Sequence, residues 1–237
     1  MLKIVTLVKR GPDLRVEEFQ AYWRERHGPL FAHVPGLRRY VQSHALLQGY
    51  RKGDLLFDGI NEAWFDDEAE YANAKKSDAF VAADRDLAGF VDRAACVEMA
   101  VDVCVIKDGA IPPGAVKNIE FVNRRPGMAI EPFRAYWREI HGPLASKIPV
   151  LRRYEQNHIN VSAYSVGEPR YDGLAITWFA STDDMKIGTT TPEYEATRAD
   201  EPNFLTDGHL PIILTREHEM LASRDVELGC SNRTRGL

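Results

Sequence analysis

Phe19-Gln-Ala-Tyr-Trp-Arg-Glu-Arg-His-Gly-Pro-Leu30 returns as Phe133-Arg-Ala-Tyr-Trp-Arg-Glu-Ile-His-Gly-Pro-Leu144, 114 residues further along the chain. The same offset holds without a gap from Lys3/Lys117 to Phe65/Phe179, with 28 identities over 63 positions. Beyond that block Asp86/Asp200 and Phe90/Phe204 keep it. Self-similarity of this extent marks a tandem duplication. The join, residues 107–116, is rich in Gly and Pro and reads as a linker. The expected units are residues 1–110, a linker at 111–116, residues 117–221, and a polar, unrepeated tail at 222–237 that should fray.

The chain has 237 residues, 44% hydrophobic and 27% charged, with a formal net charge of -5. Domains average ~100–150 residues, so length alone allows one large unit or two small ones. The composition excludes a disordered chain. Its acidic balance argues against general nucleic-acid binding, which needs clustered Lys and Arg. No apolar run approaches the ~20 residues that span a bilayer, and the first apolar stretch is too short for a signal peptide. A cytoplasmic protein without nucleic-acid or membrane partners is expected. Cys96, Cys104 and Cys230 are too few for a disulfide framework. Along a strand, Cys96 and Cys104 would stand roughly 26 Å apart, beyond the ~7 Å bridging limit. Neither CxxC nor HExxH occurs, so no metal site is expected.

Each copy reads as β-α-β-β-α-β. Residues 3–9 form a strand. Val16, Phe19, Trp23 and His27 follow at helical spacing. Asp13 is the candidate cap, Pro132 suits the first turn of the equivalent helix, and Gly28-Pro29 should end it. Residues 37–47 and 57–65 read as two strands, 66–90 as one or two helices, and 96–106 as a fourth strand. This order is the ferredoxin-like arrangement, an α+β fold with helices on one face of an antiparallel sheet. The other face needs cover. The sister copy, packed sheet to sheet, supplies it.

On the second strand one face carries Arg38, Tyr40, Gln42 and His44, matched identically by Arg152, Tyr154, Gln156 and His158. On the opposite face two of four pairs differ. Burying such groups requires a partner for each, so a polar-lined cavity explains the face better than a core. His27 shares a stripe with Phe19 and Trp23, which places it near Tyr40 and His44. It is either a proton-exchanging group or a structural histidine that closes the helix. On the third strand Ile60, Glu62 and Trp64 share a face, against Leu174, Ile176 and Trp178. A carboxyl between bulky apolar residues needs a partner or a raised pKa. Glu62 is therefore a site candidate, or a rim residue paired with Arg38. Asp58 reads first as a turn residue. Trp23 and Trp64 read as core, and beside a cavity they would serve as a ligand platform as well.

Three blocks in order, Tyr22–Leu30, Leu37–His44 and Asp58–Phe65, resemble the EthD family, and their counterparts in the second copy do so too. The resemblance implies a dimeric α+β barrel, here fused into one chain as an intramolecular pseudo-dimer, with a further homodimer compatible. It implies chemistry without a metal or organic cofactor. Carried over by position, it assigns catalytic roles to His27 and His141, Tyr40 and Tyr154, His44 and His158, and Glu62. Ile176 departs from the pattern, which points to the N-terminal half as the fuller site. Trp23, Arg38, Gln42, Asp58, Trp64 and Arg152 are the candidate substrate contacts.

The resulting expectation is a cofactor-independent lyase or isomerase, decarboxylase- or dehydratase-like, acting on a small aromatic, polyketide-like or lactone acid. His27 would be its acid/base group and Arg38 a carboxylate clamp. One alternative is a haem- or oxygen-dependent oxidoreductase, with His27 or His141 as axial ligand. The other is a non-catalytic small-molecule carrier, to which a degenerate second copy would be suited.

Overall fold

In the computed structural model, which describes residues 1–206 and 210–222, the duplicated sequence builds two β-α-β-β-α-β units. The first comprises β1 (Leu2–Val8), α1 (Val16–Tyr22) continued by α2 (Gly28–Ala32), β2 (Arg39–Ala45), β3 (Gly59–Phe65), α3 (Glu68–Ala74), α4 (Asp78–Ala88) and β4 (Val97–Lys107). The second comprises β5 (Val116–Val122), α5 (Ile130–Tyr136) continued by α6 (Gly142–Ala145), β6 (Arg153–Ile159), β7 (Gly173–Phe179), α7 (Thr182–Gly188), α8 (Pro192–Asp200) and β8 (Ile212–Leu221). The expected fraying tail lies, from residue 223 on, outside the described residues, as does Cys230.

The eight strands close into one antiparallel barrel in the order β1-β3-β2-β8-β5-β7-β6-β4. β4 and β8 are the two longest strands, and each serves both halves. β4 pairs with β1 (Lys3 opposite Val101) and then with β6 (Cys104 opposite Gln156). β8 pairs with β2 and β5. The halves thus share ladders, and the two expected faces become opposite walls of one barrel. Closure leaves no sheet edge open.

Period-2 alternation sorts the strand residues into lumen and helix-facing sets. Val5, Leu7, Ile60, Ile119, Phe121 and Ile176 fill the lumen. The helices cover the other side through separate clusters, with Phe19, Trp23 and Phe90 in the first half and Phe133, Trp137 and Phe204 in the second.

The helix carrying the repeated motif does not stop at Gly28-Pro29. It passes through a π-helical turn, Trp23–His27, and resumes at Gly28. Pro29 falls in the first turn after the register shift, where a missing N–H is tolerated. The Trp137–His141 turn repeats this in the second half. Asp13 does not cap α1. The Arg15 backbone N–H instead donates to Glu18 Oε2 at 3.3 Å, closing a capping box. No helix among the described residues is long and apolar enough to cross a membrane.

Candidate functional site

The π turn and β2 are locked together by the identical polar residues of the two copies. Gln42 Nε2 donates to the Trp23 carbonyl at 3.0 Å and to Tyr40 Oη at 2.9 Å, and Tyr40 Oη donates to Asn61 Oδ1 at 2.8 Å. Trp23 Nε1 reaches the same Asn61 oxygen at 3.2 Å, and its indole stacks on His44 with ring centroids 4.3 Å apart. A Cβ at Gly28 would lie 3.1 Å from Gln42 Nε2, and one at Gly59 only 2.2 Å from the Ser43 carbonyl. The second copy repeats the lock through Gln156, Trp137 and Tyr154. The polar face of β2 is therefore satisfied mostly internally. It joins the three motif blocks into one packing unit within the sheet–helix seam, and in the second copy Tyr154 and Trp137 also line the cavity that His141 borders.

His27 and His141 stand apart from that lock. His27 Nδ1 donates to Asp86 Oδ2 at 2.9 Å, and Tyr22 Oη holds the other oxygen at 2.7 Å. His141 Nδ1 meets Asp200 Oδ2 at 3.0 Å, with Tyr136 on the other oxygen at 2.6 Å. Each ring borders a cavity between helices and sheet, of about 210 Å³ in the first half and about 330 Å³ in the second. Burial lowers the pKa of both histidines, and the paired aspartate only partly offsets it. The imidazoles are therefore neutral near pH 7, with Nδ1–H fixed and Nε2 left as the basic atom.

The larger, C-terminal cavity is mostly apolar, with one polar flank. β5 contributes Asn118 and Glu120, and α8 with its following turn contributes Arg198 and Glu201. Asn118 Nδ2 donates to Glu120 Oε1 at 3.0 Å, and Arg198 Nη1 pairs with Glu201 at 2.7 Å. Burial raises the pKa of Glu120, and raises that of Glu201 to about 7. The corresponding N-terminal positions are Ile4, Thr6, Asp84 and Leu87.

The other expected site residues lie elsewhere. Glu62 faces the lumen, on the opposite side of the sheet from His27. It pairs with Val5 and Val41, whereas Tyr40 and Gln42 pair with Ala63 and Asn61. In the lumen Glu62 binds Lys3 at 2.7 Å and also Lys117. Ile176 is its lumen counterpart, so the difference between the copies lies outside both cavities. Trp64 shares the lumen mouth with Trp178. Arg38 is exposed and forks onto Asp66, and Arg152 is exposed as well. Asp58 accepts from the Arg10 backbone N–H at 2.9 Å and from Tyr50 Oη at 2.6 Å, a turn role. His44 borders a groove by His218 and Arg216, away from His27, and burial drives its pKa down to about 2. His158 packs on Trp137, and its pKa is lowered to about 3 by burial. Cys96 is a free thiol.

Asp86, Asp200, Glu120 and Glu201 went unassigned in the sequence reading. Two signals were present. Asp86/Asp200 recur at the repeat offset, and Glu120 is a carboxyl in the middle of an otherwise strand-like run. Among the described residues no group of three or more His, Cys, Asp or Glu side chains could hold a metal ion. The cavities beside the two histidines, about 330 and 210 Å³, lie near the small end of ligand pockets, ~300–1,000 Å³.

Two ferredoxin-like units closed into a single barrel, each with an Asp–His pair beside a cavity, define a fused dimeric α+β barrel. The chain belongs to the EthD family, since the EthD domain profile matches residues 11–94 and again 125–208. A search of curated protein sequences found no match. Among solved structures, the chain is similar to an anthrone oxidase-like protein (10% identity, 92% of this chain and 93% of that one, TM-score 0.58). It is also similar to a protein from Lactobacillus acidophilus NCFM provisionally named a monooxygenase (12% identity, 91% and 92%, TM-score 0.55). A third resembles it, a protein provisionally named a chlorite dismutase (13% identity, 92% and 95%, TM-score 0.53). At these identities the likeness shows a shared fold.

Proposed function

We propose that the chain is a cofactor-independent acid/base enzyme, a lyase or isomerase, which binds a small aromatic, polyketide-like or lactone substrate in the C-terminal cavity. The observation that carries this reading is the His141–Asp200 pair at the wall of the larger cavity. A neutral imidazole oriented by a carboxylate is a general base for a carbon- or oxygen-bound proton. Asp200 also stabilises the imidazolium that forms, and Tyr136 fixes Asp200. The apolar walls exclude water and seat a ring system. Glu201, with its pKa near 7, supplies a second group able to exchange a proton on the same cavity wall.

A second reading, oxygen-dependent oxidation, is supported by the names of full-length fold neighbours, a monooxygenase and an anthrone oxidase-like protein. Both readings begin with removal of a proton by His141. The test incubates purified protein with small phenols, β-keto acids and lactones, following consumption by mass spectrometry and dissolved oxygen by electrode. Acid/base turnover without oxygen uptake, lost in His141→Asn, is the expected result. Oxygen consumed in step with substrate selects the second reading. Full turnover by His141→Asn refutes both, and a ligand bound but returned unchanged identifies a carrier.

A further inference from the structure

We propose that Asn118, Glu120 and Glu201 make the C-terminal cavity selective for uncharged, hydroxyl-bearing ligands and exclude carboxylates from it. This rests on reading that cavity as the substrate site, and it narrows the substrate class.

The argument begins with an unmatched acceptor. Asn118 is buried, and its Nδ2 is spent on Glu120 at 3.0 Å and on Thr177 Oγ1 at 3.3 Å. Its Oδ1 is buried without a hydrogen-bond partner. An acceptor left this way bears its desolvation cost without compensation. In a cavity wall, the group that removes that cost is a ligand O–H or N–H. A carboxylate has no donor to offer.

Charge points the same way. Glu120 lies beside Asn118 on the sheet side, and Glu201 lies on the helix side, where it pairs with Arg198. Asp200 is engaged by His141 and Tyr136. Arg198, the cation among these groups, is thus held by a carboxylate already. An entering anion would meet the carboxyls in a weakly screened space, and like charges there are costly. An uncharged hydroxyl donates to Asn118 Oδ1 or to a carboxylate oxygen at no such cost. The N-terminal cavity lacks this flank, with Ile4, Thr6 and Leu87 in place of Asn118, Glu120 and Glu201. The selectivity therefore belongs to one half of the duplication.

The test is equilibrium binding of two unreactive bicyclic probes, 2-naphthol and 2-naphthoate, to the full-length protein. At about pH 8 the carboxyl with a pKa of about 7 is charged, the naphthol neutral and the naphthoate anionic. Naphthol should bind at least tenfold more tightly. Lowering the pH to about 6 should narrow the gap at least threefold as Glu201 gains its proton. Glu120→Gln with Glu201→Gln should narrow it equally at about pH 8. Naphthoate binding as tightly as naphthol overturns the proposal, and so does a preference insensitive to both pH and the variants. Binding of neither probe also overturns it. Because turnover is not read, loss of the acid/base assignment to His141 would leave this result standing, and the reverse also holds.

Discussion

Glu62→Gln should destabilise the fold without removing the chemistry. Glu62 is buried at the lumen mouth, with Oε1 2.7 Å from Lys3 Nζ and Oε2 against Lys117 Nζ. Burial alone would raise its pKa, but Lys117 and Lys3 outweigh burial and hold it down to about 2 from 4.5. The gap is worth roughly 3 kcal/mol of folding free energy at neutral pH, within a factor of two. Removing one partner of a buried ion pair costs ~3–5 kcal/mol in general, which agrees. The sign follows from the depressed pKa. The stabilisation is complete above the unfolded value of ~4.5 and is lost as pH falls toward the folded value. Urea denaturation followed by tryptophan fluorescence should show Glu62→Gln less stable by about 3 kcal/mol at pH ~7 and by about 2 at pH ~3.5, since each unit below 4.5 removes ~1.4. A cost under ~1 kcal/mol at neutral pH, or a gap unchanged by acid, would refute the lumen ion-pair argument. Turnover by the folded variant should match wild type, because the sheet stands between Glu62 and both Asp–His pairs.

Asp200→Asn should lower kcat by roughly 10²–10⁴ in steady-state assays, the range for loss of an oriented base, whereas Asp86→Asn should leave that turnover in place. The acid limb of kcat/KM should fall below pH 6.5, because burial lowers the His141 pKa from that value; a pH–rate profile with its limb above 6.5 would contradict the assignment. Gly59→Ala places a Cβ 2.2 Å from the Ser43 carbonyl and 2.8 Å from the Trp23 ring, so thermal denaturation should report a loss of at least ~1–3 kcal/mol. Gln156→Leu removes the bonds to the Trp137 carbonyl and Tyr154 and should cost about 1–3 kcal/mol by the same measurement.

Much of this architecture was legible in the residues. The repeat gave two units, and alternation within each gave the strands of a ferredoxin-like sheet. The Trp-x-x-x-His-Gly-Pro, Tyr-x-Gln-x-His and Asp-Gly blocks gave the family. Alternation also grouped Tyr40 with Gln42 and His44, and Glu62 with Ile60 and Trp64, correctly. It could not say how those groups relate. Period-2 patterning fixes which residues share a face of one strand, whereas inter-strand register fixes which faces of two strands coincide. With Glu62 opposite Val41, and Asn61 opposite Gln42, the carboxyl turns into the lumen and the amide joins the histidine side.

The closed barrel depended on strand partners that lie far apart in sequence, β4 on β6 and β8 on β2. So did the finding that the second half holds the larger of the two histidine-bordered cavities. Asn118 and Glu120 meet Arg198 and Glu201 across about 80 residues of chain, and no local motif records that meeting. The sequence by itself determined the duplication, the fold of each copy and the histidines worth watching. Tertiary structure alone decided which polar residues are scaffold and which border a cavity, because a buried group's role follows from its partners, and those are set by packing.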